Sequence, residues 1–345
     1  MYKRQICGVC PVPHTIASSE AIEDAIGLKP PRDGRILREI MGLGAQLHDH
    51  PLHNLLMLPD YVDNEGKRVE AIKRIQTIRK VGQLIVDVTG GEGIHPPNTR
   101  IGGMVKNITE HARDRLLREL KGIEEVVKEH IDFMVNAFES AADEKVPSDL
   151  GKHSKKPLAT DETYGNREKL DPSKIEEMAP EFHYGEVLEA CNRPPKYDGD
   201  FVEVGPRARA EVFRGYKKKG TIAQQIARTE ETLLQYERVI ELLEELNTDA
   251  KTLEKPVYRD GSGFGVYEAP RGTDLHMAKV GEDGRIKWYN LIVPTTWNMP
   301  TIGYATEGFH YKYAELVVRG YDPCLSCATH LIVLRDEERV YESYF

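Results

Sequence analysis

Four of the five cysteines in this chain form two CxxC pairs, and the pairs lie at opposite ends of its 345 residues. Cys7 and Cys10 form the first pair, and Cys324 and Cys327 form the second. In a reducing compartment such pairs are typical of metal or redox sites rather than of structural disulfides. If both pairs serve one site, the two chain ends must meet. This favours a single domain over 1–345, with the site where the ends join.

Three kinds of site are compatible with two CxxC pairs. A structural zinc site with four cysteine ligands is the ordinary interpretation, but zinc ribbons keep their pairs close, and here most of the chain separates them. A thioredoxin-like redox pair is expected near a βαβ pattern, and neither pair has one around it. The third is a transition-metal centre held by soft thiolates.

Helical periodicity dominates the sequence between the pairs. In "TIAQQIARTEETLLQYERVIELLEELN" apolar residues recur at spacings of mostly three or four, which indicates one buried stripe on a long helix. A similar stripe predicts a second long helix over about 107–140. Shorter helical patterns cover 16–28, 35–57, 66–88, 173–192 and 305–319. These patterns predict a bundle of long helices.

Strand patterns are concentrated late in the chain. "GFGVYEAPRG" and "LHMAKVGEDGRIKWYNLIVPTTW" are typical of short strands, with a hairpin turn at Glu282, Asp283 and Gly284. The polar stretch 143–174, which contains Pro and Gly, predicts a surface insertion or long loop. The expected fold class is therefore mainly α with a small β region, an α+β arrangement.

Charge and hydropathy limit what the chain contacts. The net charge of -9 argues against a nucleic-acid partner. No apolar run approaches the about 20 residues that cross a bilayer, and the first residues lack the apolar segment of a signal peptide. We therefore expect a cytoplasmic protein without a membrane span.

The segments around the cysteines resemble the large subunit of nickel–iron hydrogenases. "ICGVCPVPHT" (6–15) and "DPCLSCATH" (322–330), paired in this order, are highly specific motifs. Four further segments match the family: "GGEGIHPPNTRIGG", "VEVGPRAR", "EAPRG" and "PTTWN". The resemblance thus covers essentially the whole chain. Within the family, the motif spacing and "RGYDPCLSCATH" are most similar to the alpha subunits of hydrogenases that reduce the deazaflavin coenzyme F420.

The resemblance implies a nickel–iron centre held by the four paired cysteines. Cys7 and Cys324 would be terminal ligands of nickel, and Cys10 and Cys327 would bridge nickel and iron. In this family the iron also carries carbon monoxide and cyanide ligands, which no side chain supplies.

Four more residues receive roles from the resemblance. His14 would form a hydrogen bond near a bridging sulfur. Arg271 would lie over the open face of the metals, and Asp322 would orient that arginine or a nearby polar group. His330 would bind magnesium (or iron) near the C-terminus.

Elementary chemistry supports this allocation. Heterolytic cleavage of hydrogen needs an electrophilic metal and a base that takes the proton. A terminal thiolate can be that base, because a metal that withdraws charge brings its thiol pKa within reach of neutral pH. For Arg271 we favour electrostatic positioning over proton relay, because a guanidinium does not readily lose its proton.

Electrons must leave the centre through other chains. Four cysteines at the centre leave only Cys191, which is too few for an iron–sulfur cluster, so the clusters must lie on a small iron–sulfur subunit. The resemblance further implies FAD on a beta subunit that binds F420. Alternative acceptors in the family are a disulfide reductase or a nicotinamide nucleotide. The alternative from another class is a non-catalytic scaffold or zinc-binding homologue.

Both chain ends bear on this reading. Family members carry several dozen residues before the first cysteine motif, including a proton-relaying glutamate and an acid that helps bind magnesium, whereas six precede Cys7 here and Gln5 stands where Arg is usual. The sequence thus resembles an N-terminally truncated member. In the family, a maturation protease cleaves after the histidine that matches His330. We therefore interpret 331–345 as a maturation extension, lying outside the core unless "LIVLRD" pairs as an edge strand.

The remaining candidates receive ordinary interpretations. His48, His50 and His53 in "LHDHPLHNLL" are expected to be packing histidines with satisfied hydrogen bonds rather than metal ligands. His95 is expected at a partner interface, and Cys191 as a small buried hydrophobe.

Overall fold

Long helices form most of the chain, and short strands form the rest. The computed structural model describes residues 7–8, 10–179, 193–324, 330–335 and 338–344, the last two segments by their backbone. The α-helices of these segments are α1 (Pro11–Ile26), α2 (Arg32–Tyr61), α3 (Glu65–Gly90), α4 (Glu110–Lys121), α5 (Glu124–Ser140), α6 (Pro206–Arg214), α7 (Thr221–Glu245), α8 (Pro294–Thr306) and α9 (Ala314–Tyr321).

The strands pair in small sheets. They are β1 (Thr99–Arg100), β2 (Gly103–Met104), β3 (Lys156–Pro157), β4 (Ile175–Glu177), β5 (Pro195–Tyr197), β6 (Val202–Glu203), β7 (Gly261–Ala269), β8 (Gly272–Val280), β9 (Ile286–Ile292), β10 (His330–Arg335) and β11 (Glu338–Tyr344). Strands β7, β8 and β9 form an antiparallel three-stranded sheet, and the others pair two by two. The predicted mainly helical fold with a small β region is confirmed.

The main apolar core lies between α2, α3 and α7, with α4 and α5 against them. Apolar residues at helical spacing on each element meet there and exclude water, which is the dominant favourable contribution to folding. Its fully buried members include Leu37, Ile40, Leu43, Leu47, Ile78, Ile85, Leu116, Leu120, Val127, Val239 and Leu243. The predicted stripe on α7 is only part of the face that this helix buries: Ile226, Tyr236 and Leu243 are buried and Ile222, Leu233 and Ile240 half-buried, while polar residues such as Arg228 and Glu231 are also buried.

Helix α1 packs against the three-stranded sheet at unusually short range. A Cβ atom at Gly263 would lie 2.2 Å from the backbone nitrogen of Ala25, and one at Gly265 would lie 2.1 Å from the carbonyl oxygen of Ala17. Only glycine allows this approach of strand β7 to the helix. Because α1 begins directly after Cys10, the packing fixes the first cysteine pair relative to the sheet.

Several predicted elements differ in the structure. The single helix over 107–140 is two helices, α4 and α5, because the chain turns at Gly122. The segment 173–192 begins with a short 3-10 turn and strand β4 rather than a helix, and its residues 180–192 lie outside the described part. "PTTW" starts helix α8 instead of ending a strand, since Pro294 occupies the first helical turn where no N–H is needed.

The segment 143–174, expected to be a surface insertion or long loop, contains little regular structure but is partly buried. Its β3 pairs in parallel with β6, and Leu158, Thr160 and Tyr164 are buried. The Thr160 backbone N–H and hydroxyl both donate to the buried carboxylate of Glu268 at 2.8 Å. The segment therefore helps to support the strand that leads to Arg271.

The C-terminal residues form a hairpin. Strand β10 pairs antiparallel with β11, from His330 opposite Tyr344 to Arg335 opposite Glu338. Residues 331–335 thus take a strand conformation, and Asp336 lies outside the described residues. No helix in the described segments is long and apolar enough to cross a membrane.

Candidate metal centre

The first cysteine pair lies at the start of helix α1. Cys10 precedes Pro11, the first helical residue, and its backbone N–H donates to the Cys7 sulfur at 3.2 Å. The two Sγ atoms are 3.1 Å apart. This separation exceeds the about 2.05 Å of a disulfide bond. It would let both sulfurs lie about 2.3 Å from one shared ion, the usual thiolate–metal distance.

Cys324 reaches the same place from the other end of the chain. It follows helix α9, and its backbone N–H donates to the Thr295 hydroxyl in α8 at 3.1 Å. Cys7, Cys10 and Cys324 line one cavity of about 170 Å³, whose walls also include Arg271. The two chain ends therefore meet at one site. Cys327, the fourth predicted ligand, lies outside the described residues.

The chemistry of this cavity fits a bound cation. Hydrogen bonding to Cys324 and Cys7, together with burial, raises the pKa of Cys10 far above its ordinary value. The cause is that clustered sulfurs cannot all ionise in a buried place without a positive charge between them. A soft transition metal would supply that charge, and thiolates are the ligands that such metals prefer.

Arg271 occupies a tight turn between β7 and β8. Ala269 pairs with Gly272, so Pro270 and Arg271 are the two turn residues. Gly272 has a φ of 130°, and a Cβ atom there would lie 2.5 Å from the Val204 side chain, so only glycine fits. The turn carries the arginine side chain into the cavity that the three cysteines line.

Two aspartates hold the Arg271 guanidinium. Its Nη1 donates to the Asp49 carboxylate at 3.0 Å, and its Nη2 donates to Asp322 at 3.2 Å. Burial opposes the charge, but Asp322 and Asp49 outweigh it and raise the pKa of Arg271 above its ordinary value. The guanidinium therefore stays protonated and fixed, which suits electrostatic positioning.

Asp322 connects this arginine to a wider buried network. Arg228 donates to its carboxylate at 3.1 Å, and His53 Nδ1 lies 3.3 Å from it. Although burial alone would raise the pKa of Asp322, Arg271, His53 and Arg228 lower it well below its usual range. Asp322 is in the left-handed backbone region with a φ of 53°, so the chain turns sharply just before Cys324.

Two histidines of "LHDHPLHNLL" form buried hydrogen bonds. His50 and His53 are buried and hydrogen-bonded, to Glu231 and Gln225 respectively, both at 2.8 Å. Both Nε2 atoms are thus paired, as expected for packing histidines, but His50 Nδ1 has no hydrogen-bond partner among the described residues. The residue that sequence reasoning missed is Asp49, between His48 and His50, which contacts Arg271. A single aspartate inside a histidine-rich run gives no sign in the sequence of its distant partner Arg271.

His14 also lines the cavity and makes a separate set of buried contacts. It lines the cavity with Cys324, and its Nδ1 is 3.0 Å from both His276 Nε2 and Asp274 Oδ2. Burial lowers the pKa of His14, but Asp274 and then Cys324 more than offset this, and the pKa is raised. Asp274 and His276 were not predicted. Their spacing of two along β8, which puts both on one face of the strand, is the signal that could have found them.

His330 remains a prediction as a metal ligand. Its backbone starts strand β10, and the structure describes no more of it. The structure thus brings together Cys7, Cys10, Cys324, Arg271, Asp322 and His14. The roles of these residues remain predictions.

Comparisons with known proteins agree with this class of site. The family described as nickel-dependent hydrogenase matches residues 1–81 and 215–305. The coenzyme F420 hydrogenase subunit alpha of Methanothermobacter thermautotrophicus is 46% identical, over 97% of this chain and 83% of that protein. The subunit of the same name from Methanocaldococcus jannaschii is 45% identical, over 97% of this chain and 82% of that protein.

Solved structures show the same fold. A NiFeSe hydrogenase from Desulfovibrio vulgaris Hildenborough has a TM-score of 0.79 at 21% identity, covering 94% of this chain and 88% of that one. An NAD+-reducing NiFe hydrogenase has a TM-score of 0.76 at 25% identity, covering 94% and 86%. The fold and the cysteine site therefore define a nickel–iron hydrogenase large subunit. This chain belongs to the nickel-dependent hydrogenase family, as its motifs predicted.

Proposed function

We propose that this chain is the hydrogen-activating subunit of a hydrogenase that reduces coenzyme F420. One observation supports the hydrogenase chemistry above all: three cysteine sulfurs from both chain ends line a buried cavity beside the paired Arg271. The acceptor is inferred from relatives named coenzyme F420 hydrogenase subunit alpha, which are 36% to 46% identical. Relatives named F420-non-reducing hydrogenase are 28% to 30% identical.

The residues that would hold the nickel–iron centre are Cys7, Cys10, Cys324 and Cys327. When bound, the centre supplies the electrophile that heterolytic cleavage of hydrogen needs. Carbon monoxide and cyanide on the iron, and magnesium or iron near His330, belong to the same proposal. The sulfur of Cys7 or Cys324 accepts the proton that leaves hydrogen.

Arg271 acts on this step through its charge. Asp49 and Asp322 hold the guanidinium with both ends anchored, so the positive charge need not reorganise as charge develops beside it. The cavity is mostly apolar in its lining, with Pro13, Pro270, Leu291 and Val293 in its walls. These side chains limit water near the reacting sulfur, which strengthens the electrostatic effect of Arg271.

Electrons leave through partner chains in this proposal. An obligate small subunit would carry the iron–sulfur clusters, and a beta subunit would carry FAD and bind F420. We place this complex in the cytoplasm. The proposal draws on the relatives' designation as alpha subunits, and on Cys191 being the single cysteine outside the two pairs.

Residues 331–345 are proposed to be removed by a maturation protease. Within the described residues, β10 and β11 pair with each other and with no other strand, so cleavage after His330 would not break another sheet. Removing the segment would free a carboxylate at His330 and let the preceding residues close over the metals.

The proposal is tested by producing the chain with its small and beta subunits and supplying hydrogen. We expect hydrogen-dependent reduction of F420, with nickel in the complex. Nickel with hydrogen-dependent dye reduction but no F420 reduction would indicate another nickel–iron hydrogenase. Zinc without nickel, and no hydrogen uptake, would contradict the proposal and support the scaffold alternative.

A further inference from the structure

Three candidate ligand atoms converge beside the cysteine cavity. His14 Nδ1 lies 3.0 Å from His276 Nε2 and 3.0 Å from Asp274 Oδ2, and the last two atoms are 3.3 Å apart. Ligand atoms about 2.1 Å from a common ion are separated by about 3.0 Å in octahedral and about 3.4 Å in tetrahedral geometry. The three edges of this triangle fall in that range.

The triangle is buried, and among the described residues its carboxylate lacks well-formed hydrogen bonds. The Asp274 and His276 side chains are inaccessible to water, and His14 is nearly so. Neither oxygen of Asp274 accepts a hydrogen bond of ordinary geometry within the part of the chain that the structure describes. A buried carboxylate in this condition costs free energy unless a positive charge faces it. Two imidazole nitrogens and one carboxylate oxygen that point at one another leave a common point where such a charge would fit.

The surrounding elements hold the triangle rigidly. Asp274 and His276 project from the same face of β8, and His14 comes from the first turns of α1, which packs on that sheet. The Tyr289 hydroxyl shares a hydrogen bond with His276 Nδ1, which leaves Nε2 as the nitrogen that faces the other two atoms. An outer partner of this kind fixes the tautomer and direction of a metal-binding histidine.

We propose that His14, Asp274 and His276 bind a divalent first-row transition-metal cation of their own, next to the thiolate centre. Two nitrogens and one oxygen suit zinc or ferrous iron rather than magnesium or calcium, which prefer oxygen ligands. The ligands differ from those of the predicted C-terminal magnesium site, because neither His330 nor any residue after Cys324 is among them. The site does not depend on the acceptor proposed above.

Cobalt titration of the full chain distinguishes this site from the cysteines. Cobalt bound to thiolates gives a strong near-ultraviolet charge-transfer band, whereas cobalt bound to histidine and carboxylate gives only weak visible bands. The test uses a chain in which Cys7, Cys10, Cys324 and Cys327 are serine. We expect one equivalent of cobalt to bind with visible bands and without the charge-transfer band.

Single substitutions in this background then assign the ligands. We expect His276→Gln or Asp274→Asn to weaken cobalt binding by at least about 100-fold. Tyr289→Phe, which removes an outer partner, should weaken it about 10-fold. His130→Gln is the matched control, because His130 is equally buried but lies outside the triangle. It should leave cobalt affinity unchanged.

Two results would overturn the proposal. One is the absence of cobalt binding in a serine background whose circular dichroism matches the parent, which would make the triangle a hydrogen-bonded ion pair only. The other is binding that His276→Gln and Asp274→Asn leave intact. If the serine background does not fold, the same substitutions in the parent chain must remove the visible histidine bands and keep the thiolate band. Visible histidine bands that persist in these variants would equally refute the site.

Discussion

The cavity that the cysteines line has two buried charged groups on its walls, and they differ in how they are satisfied. The Arg271 guanidinium has a carboxylate at each end. Asp274 instead faces two imidazoles, and neither of its oxygens accepts a well-formed hydrogen bond within the described residues. The first group is built to keep a charge fixed. The second is built like a set of ligands, which is the basis of the metal site inferred above.

The largest effect is expected from Arg271→Lys in the assembled enzyme. Lysine keeps the charge but cannot engage Asp49 and Asp322 through a planar fork. We expect hydrogen-uptake kcat to fall at least about 100-fold, as for the loss of one preorganised donor, while nickel content holds. Arg238→Lys, at a partly exposed ion pair with Glu39, is the control and should keep its activity. Near-normal turnover in the Arg271 variant would remove this residue from the reaction.

Asp322→Asn should cause a large loss of stability, because Asp322 is central to the buried ion pairs around Arg271. It removes one charge from a buried group that includes Arg271 and Arg228, leaving cations uncompensated. Breaking such a group typically costs about 3–5 kcal/mol in the free energy of unfolding, which urea denaturation measures. Asp60→Asn, at a half-exposed pair with Arg319, should change stability much less. Equal losses in the two variants would refute the difference between buried and exposed pairs assumed here.

Gly265→Ala tests whether the close packing of α1 on β7 fixes the first cysteine pair relative to the sheet. The added Cβ would lie 2.1 Å from the Ala17 carbonyl oxygen, so the helix must shift. We expect a loss of about 1–3 kcal/mol and weaker nickel retention, because α1 carries the first cysteine pair. Gly303→Ala is the control, since nothing lies within 4 Å of its Cβ position. Unchanged stability and nickel content in Gly265→Ala would show that α1 does not need this approach.

The smallest expected effect is a pH dependence of stability that distinguishes His14 from Asp322. The pKa of His14 is raised in the folded chain, so in the metal-depleted chain its contribution to stability is fully present below the unfolded pKa of about 6.5. It is lost as pH rises through the folded pKa. Asp322 has a lowered pKa, so its contribution is present above the unfolded value of about 3.9 and is lost only in acid.

We therefore expect the free energy of unfolding to fall with rising pH above about 6.5, with a slope of at most about 1.4 kcal/mol per pH unit for this one proton. His14→Gln should remove that slope, and His130→Gln should not. Denaturation at a series of pH values measures it. An identical slope in parent and His14→Gln chains would contradict the pairing of His14 with Asp274.

Motifs that are contiguous and specific predicted Cys7, Cys10, Cys324 and Arg271, which the structure places around one cavity. Sequence reasoning missed Asp49, Asp274 and His276 because each acts through partners far away in the chain: Asp49 and Arg271 are 222 positions apart, and His14 and His276 are 262 apart. The alternation of side chains along β8 places Asp274 and His276 on one face, but nothing in the sequence indicates that α1 covers that face. Such information lies in the packing rather than in local spacing.

The fold shows a similar division. Long helices such as α7 follow from sequence because their apolar residues recur at helical spacing over many turns, although the burial of Arg228 and Glu231 on α7 does not. The break at Gly122 does not, since the apolar stripe continues through it. The polarity of the segment 143–174 predicts a surface insertion or long loop, yet its residues Leu158, Thr160 and Tyr164 are buried. A few apolar residues in a polar stretch gave no sign of that burial.

Nickel X-ray absorption on the assembled complex tests the central claim most directly. That claim is that cysteines from both chain ends share one metal centre. We predict nickel in the complex with sulfur neighbours at about 2.3 Å, and loss of nickel in Cys324→Ser as well as in Cys7→Ser. Nickel that survives both substitutions, or zinc in place of nickel in the parent, would contradict the account.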